Sequence, residues 1–195
     1  MKSMRMSPVF FLLFLLLLLL FSESPLSSET RTVRPHEYLA KAVYIEKIAT
    51  FVRWPKQCEL EKQSKPFVLG IIGDSDINSY FEEIYTTQNR KIKQKHVEIK
   101  YFTSPGSITD CHILFITKSM EKDLPRILST IKDKPVLTIG NTMGFAKKGV
   151  HINLYTKGSK ILYEINLIEI RKSLLHVSYH LLKWGKILKP QPPNR

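Results

Sequence analysis

Apolar and polar residues follow two rhythms along this chain. Over residues 35–54, apolar residues recur at every third or fourth position, which predicts a helix with one buried face, ended by Pro55. Residues 67–72, 111–116 and 135–139 are instead short, unbroken apolar runs, the pattern of strands covered on both faces. Helical stripes over residues 77–84 and 124–131 separate these runs, so strands and helices alternate.

The alternation changes after residue 149. Apolar residues occupy every second position over 150–154 and again over 161–165, with a glycine-containing turn between them, which predicts a β-hairpin. An apolar stripe over 167–188 predicts a long final helix. The pattern favours an α/β fold with three layers, α/β/α. Its mostly parallel sheet is extended by a C-terminal antiparallel hairpin and followed by the long helix.

The N-terminus has the layout of a secretory signal peptide. Lys2 and Arg5 precede an apolar run over residues 9–21, and a polar segment of small residues follows. We expect cleavage near Ser28 and export from the cytoplasm, the alternative being an uncleaved N-terminal anchor. Residues 29–188 would then form a single domain and residues 189–195 a C-terminal tail.

The chain carries a net charge of +13, spread along its length. In a cytosolic protein this charge would suggest nucleic acid, but in an exported protein we expect no nucleic-acid partner. We expect this charge to form a solvated basic surface. The alternatives are weak contact with anionic lipids or envelope polymers, and contact with an acidic face of a protein partner.

The chain has only two cysteines, Cys58 and Cys111. In an oxidising compartment a lone pair often forms a disulfide, here closing a loop of about 50 residues and adding on the order of 4 kcal/mol. The alternative is two separate thiols, one exposed and one packed in the core.

No motif of the sequence points to catalysis, a cofactor or a metal. His176 and His180 are four residues apart on the predicted final helix, but no third ligand accompanies them. Asp74 lies in a Gly-Asp-Ser turn after a buried strand, where ligands often bind in α/β sheets. We interpret this turn as structural, with a small-ligand site as the alternative.

Several aromatic and polar residues could serve either the core or a partner. Phe51 and Trp54 end the first helix, and Met143 to Ala146 form a loop in which Phe145 either plugs the core or offers an apolar contact. Asn166 and Glu164 lie at the junction of the hairpin with the last helix. We expect Asn166 to cap that helix and Glu164 to pair with Arg171.

The order of these motifs from Glu37 to Leu188 resembles the YfiR-like family of small exported bacterial proteins. The residues that match the family pattern are Phe51, Trp54, Pro55, Asp110, Cys111, His112, Gly144, Phe145, Asn153, Glu164, Asn166 and Arg171. The resemblance implies a periplasmic α/β protein, not an enzyme, that represses a membrane diguanylate cyclase by protein–protein contact. A sensor kinase is an alternative partner, and a homodimer is an option. Family members under redox control carry more cysteines, which puts redox sensing in doubt here.

Overall fold

The computed structural model of the protein describes residues 35–62 and 64–189, so the predicted leader and the chain beyond Lys189 lie outside it. The helices are α1 (Pro35–Thr50), α2 (Ile77–Phe81, continued by a π-helical segment, Glu82–Thr87), α3 (Leu124–Thr130), α4 (Leu167–Lys172) and α5 (Tyr179–Trp184). The strands are β1 (Val52–Arg53), β2 (Phe67–Ile72), β3 (Val97–Phe102), β4 (Ile113–Ile116), β5 (Leu137–Gly140), β6 (Ile152–Lys157), β7 (Lys160–Ile165), β8 (His176–Val177) and β9 (Lys186–Ile187).

A seven-stranded sheet forms the centre of the molecule, in the order β3-β2-β4-β5-β6-β7-β9. The five strands from β3 to β6 in this order are parallel, β7 is antiparallel to β6, and β9 is parallel to β7. The unbroken apolar runs are the central strands β2, β4 and β5, whose residues are nearly all buried because helices or loops cover both faces. The predicted α/β class and mostly parallel sheet are confirmed.

The core lies in two layers, one on each face of the sheet. The first layer joins α1, α2 and α5 to alternate residues of the strands, such as Phe67 and Phe115. The second layer joins α3 and Phe145, in the loop after β5, to the intervening residues of the strands, such as Ile72 and Leu114. Within the described ranges, no helix is long and apolar enough to cross a membrane.

The first predicted helix ends earlier than its apolar stripe. It stops at Thr50, and Val52 and Arg53 instead pair with Val177 and His176 in a small antiparallel sheet. Phe51 extends this pairing, since its carbonyl accepts a hydrogen bond from the Ser178 amide. This β1–β8 clamp holds the end of α1 against the C-terminal segment.

The predicted long final helix is wrong. The chain leaves α4 after Lys172, passes through Leu174 with φ of 60°, and forms β8, α5 and β9 in turn. Leu174 and Trp184, assigned to the buried stripe, are 52% and 73% exposed. Serine and glycine are weak helix formers, and Ser178 and Gly185 lie at the breaks, where pairing with β1 and β7 satisfies the backbone instead.

The predicted disulfide between Cys58 and Cys111 is also wrong, because both thiols are free. Cys58 packs against the first core layer and Cys111 belongs to the second, so the sheet lies between them. Burial raises the pKa of both thiols, that of Cys111 to about 12. Both side chains are therefore neutral thiols of low reactivity at neutral pH.

We expect a reducing agent to leave the stability of the folded protein unchanged. A disulfide closing this loop would contribute about 4 kcal/mol, which dithiothreitol would remove. Urea unfolding with and without dithiothreitol measures the difference, and Cys58→Ser serves as the variant that cannot form the bond. A lower unfolding midpoint under reduction in the natural chain alone would restore the disulfide.

Candidate partner-binding surface

Trp54 is a core residue that anchors the segment after the β1–β8 clamp. Its indole N–H donates to the carbonyl of His112 at 3.2 Å, and its ring meets the edge of Phe67 with centroids 5.6 Å apart. The His112 ring stacks on Phe67, and its Nδ1 accepts from the Val68 amide at 2.9 Å. Burial lowers the pKa of His112, so this ring is a neutral structural acceptor. Pro55 follows in extended conformation and precedes a short 3-10 turn.

Phe145 is fully buried in the second core layer, below the loop that follows β5. Its ring lies against Gly140, where a Cβ would come within 2.8 Å of Cδ2. Gly144 precedes it with φ of 86°, a left-handed conformation that favours glycine. Asn153 is buried beside Gly140, and its Oδ1 accepts no hydrogen bond from a described residue. The buried Phe145 ring thus holds the loop against the second core layer, and this side chain is not exposed to a partner.

Asn166 caps α4 as predicted: its side chain accepts from the Glu169 amide at 3.2 Å and donates to the Ala146 carbonyl at 2.8 Å. It therefore ties α4 to the same loop. The expected pairing of Glu164 with Arg171 is wrong. Glu164 pairs across the sheet edge with Lys186 at 2.9 Å, and Arg171 is exposed on α4.

The turn at Asp74 is filled by neighbouring side chains. A Cβ on Gly73 would lie 2.3 Å from Thr117 Oγ1 and 2.5 Å from Ser119 Oγ. The Asp74 amide donates to the same Ser119 hydroxyl at 2.9 Å. The backbone group that would hold an anion in a ligand site is therefore already bonded.

His176 and His180 do not share a helix face. His176 lies in β8 and His180 in α5, because the helix that would have aligned them is interrupted. Among residues 35–62 and 64–189, no group of His, Cys, Asp and Glu could hold a metal ion.

Basic side chains gather at an open cleft of about 730 Å³ between α3 and α4. Four lysines line it: Lys132, Lys147, Lys148 and Lys172. Lys148 pairs with Glu121 and Lys172 with Glu169, so much of this charge is compensated within the protein.

A second, more apolar groove of about 350 Å³ lies where α1, β7 and α5 meet. We call it the Trp184 groove. It is lined by Tyr44, Ile48, Phe51, Ile161, Tyr163 and Trp184, among others. Phe51 reaches it from the clamp, with its ring 6.1 Å from that of His180. Trp184 in its lining is 73% exposed, and Tyr179, at the start of the same helix, is equally exposed.

The sequence pattern did not reveal this groove. Its Trp184 rim was assigned to the buried face of a helix that does not exist, and only Phe51 was among the expected contact residues. The sequence did offer one signal: Ser178 and Gly185 interrupt the helical stripe on either side of the aromatic segment.

The fold and these surfaces define a layered α/β domain whose buried polar groups serve structure. The chain belongs to the YfiR/HmsC-like family, whose model matches residues 38–186. The predicted family is therefore confirmed. Membership supports the general class of function that the resemblance implied, a periplasmic regulator rather than an enzyme. No curated protein matches the chain.

Solved structures share the fold at low sequence identity. The ABC domain from Streptococcus pneumonia in complex with L-Trp is similar with a TM-score of 0.52, at 11% identity over 77% of this chain. A conserved domain protein from Vibrio cholerae O1 biovar eltor is similar with a TM-score of 0.53, at 7% identity over 78% of this chain. The chain spans 60% of the length of each of these structures. Both similarities are evidence of the fold alone.

Proposed function

We propose that this protein is a periplasmic regulator that binds the exported portion of a membrane signalling protein and holds it inactive. A diguanylate cyclase is the preferred partner, and a sensor kinase is the alternative. The observation that carries the proposal is the family match over residues 38–186, nearly the whole of the described domain. Residues 1–28 would serve as the signal peptide.

The structure agrees with a binding role in what it leaves exposed and what it buries. The aromatic rings of Tyr179 and Trp184 face solvent, as is common where proteins meet. Three polar side chains of types common in catalysis have structural partners instead. His112 and Asn166 bond the backbone, and Glu164 pairs with Lys186.

A small-ligand role at the carboxyl edge of the sheet has less support. The pneumococcal structure with a similar fold is a complex with L-Trp. In this chain, however, Ser119 and Thr117 fill the space beside Gly73, and the Asp74 amide is already bonded.

The test is a deletion of the gene in its own host, followed by measurement of cyclic di-GMP and biofilm. We expect both to rise, and to return to the original level when the membrane cyclase encoded nearby is deleted as well. Re-expression of the full chain should restore repression, whereas a chain starting at Glu29 should not, since it would stay in the cytoplasm. Unchanged cyclic di-GMP in the deletion strain would exclude the cyclase as the target.

A further inference from the structure

The Trp184 groove borders a strand whose outer edge is partly open. β9 pairs only with Glu164 and Ile165 of β7, and no other strand of the described chain lies on that side. The Ile165 carbonyl points outward, because it accepts from the Leu188 amide. Backbone groups alternate along a strand, so the N–H and carbonyl of Ile161 also point outward, beside the groove. An extended chain could pair with this edge in line with β9.

The charge around the groove has one sign. Lys47 lies in its lining, Lys160 starts the open edge, and the Lys183 ammonium lies 5.5 Å from the Trp184 ring centroid. No acidic residue is among the described lining residues. The nearest carboxylate along β7, Glu164, is already paired with Lys186.

We propose that the Trp184 groove binds an extended segment of a partner protein that carries an aromatic or aliphatic side chain between acidic residues. The apolar side chain would enter between Phe51, Tyr163 and Trp184. The acidic residues would contact the lysines, and the backbone of the segment would pair with Ile161. That the partner is a membrane signalling protein rests on the proposed function; the surface and the chemistry it selects do not.

A second copy of this chain fits the groove poorly. Two copies related by a symmetry axis would bring the same lysines together, and like charges across an interface are unfavourable. An acidic segment instead matches both the basic rim of the groove and the net charge of the whole chain, +13.

A designed peptide tests the groove directly. The probe is fluorescein-labelled Asp-Glu-Val-Phe-Val-Glu-Asp, and binding is followed by fluorescence anisotropy. We expect saturable binding that weakens as salt screens the charges. Peptides with Ser in place of Phe, or with Lys in place of the acids, should bind at least about tenfold more weakly. A probe that does not bind, or that binds no better than both control peptides, overturns the proposal.

Three variants locate the binding. Trp184→Ala should weaken probe binding by about tenfold or more, because it removes the exposed wall of the groove. Met143→Ala removes another exposed apolar side chain, 93% exposed on a distant loop, and should bind like the natural chain. Ile161→Pro removes an outward-facing N–H without breaking a hydrogen bond to β6, and it also shortens a side chain that lines the groove. It should weaken binding while thermal melting shows the fold intact. Equal binding by the natural chain and Trp184→Ala overturns the proposal.

Two further outcomes would assign the groove to another occupant and overturn the proposal. The first is a dimer in light scattering that Trp184→Ala dissociates. The second is free L-tryptophan displacing the probe at low concentration.

In the host, Trp184→Ala at normal protein level should fail to restore repression, whereas Met143→Ala should restore it. If the deletion raises cyclic di-GMP and Trp184→Ala restores repression fully, the groove assignment fails while the proposed function stands. If the deletion has no effect but the probe binds as expected, the reverse holds.

Discussion

Phe145→Ala is expected to lower the free energy of unfolding by about 3–5 kcal/mol, the usual loss for a fully buried phenylalanine. The ring is completely enclosed in the second core layer and lies against Gly140, which has no side chain to fill the space. The loop backbone depends on the same residue, since the Phe145 carbonyl accepts from the Lys148 and Val150 amides. The alanine variant keeps this carbonyl, so the expected loss comes from the cavity that the ring leaves. Urea unfolding at neutral pH gives the value.

Met143→Ala is the matched control for this substitution, because it removes a large apolar side chain from the same loop where it is 93% exposed. Its effect should stay within about 0.5 kcal/mol. If Phe145→Ala instead costs less than about 1 kcal/mol, the ring is not fixed in the core. Phe145 would then be available as the apolar contact that the sequence left open.

The second large effect is a loss of stability in mild acid, caused by His151. This side chain is buried, and its Nδ1 accepts from the Thr138 amide at 3.1 Å. Burial lowers its pKa from 6.5 to about 4, although the nearby Glu169 opposes the shift. In the unfolded chain His151 is protonated below its ordinary pKa of 6.5. In the folded chain it stays neutral until the pH approaches about 4. Stability is therefore complete above about pH 6.5 and is lost as the pH falls toward about 4.

The slope from His151 should approach 1.4 kcal/mol per pH unit at most, giving a total of about 3 kcal/mol across the window. Urea midpoints from neutral pH downward measure it. His112 contributes in the same direction, because burial lowers its pKa too. His151→Asn keeps an acceptor for the Thr138 amide but does not titrate. It should be less stable at neutral pH and show a flatter slope. An identical slope in this variant would remove His151 as the cause.

The sequence predicted the central sheet well because buried parallel strands leave a strong signal. The apolar run of β2 matches the observed strand, Phe67–Ile72, residue for residue. The hairpin was also predicted, since its alternation and its glycine turn are local features. A strand buried on both faces gives a continuous apolar run, and a hairpin buried on one face gives alternating apolar residues. Both patterns can be recognised from residues adjacent in the sequence.

The C-terminal segment was predicted wrongly because local patterns do not reveal pairing with distant strands. Its apolar residues have helical spacing, but two of its segments pair with distant strands instead. Val177 pairs with β1, and Ile187 pairs with β7. Pairing of this kind depends on residues far away along the chain, which periodicity does not report. The cysteines failed likewise, because only the tertiary structure reveals that the sheet separates them. The Trp184 groove is a product of that misread segment, and so it escaped prediction.

The β1–β8 clamp also constrains the order of assembly. It joins Val52, near the start of the domain, to Val177, near its end, so its closure must wait until almost the whole chain has been synthesised. Contacts between such distant residues form late and slowly, because a long loop must close first. The central sheet can assemble before then, but the Trp184 groove cannot, since its lining includes both Phe51 and Trp184, from opposite ends of the domain. A chain still being made would therefore lack this surface, and a partner that recognises it would meet only finished protein.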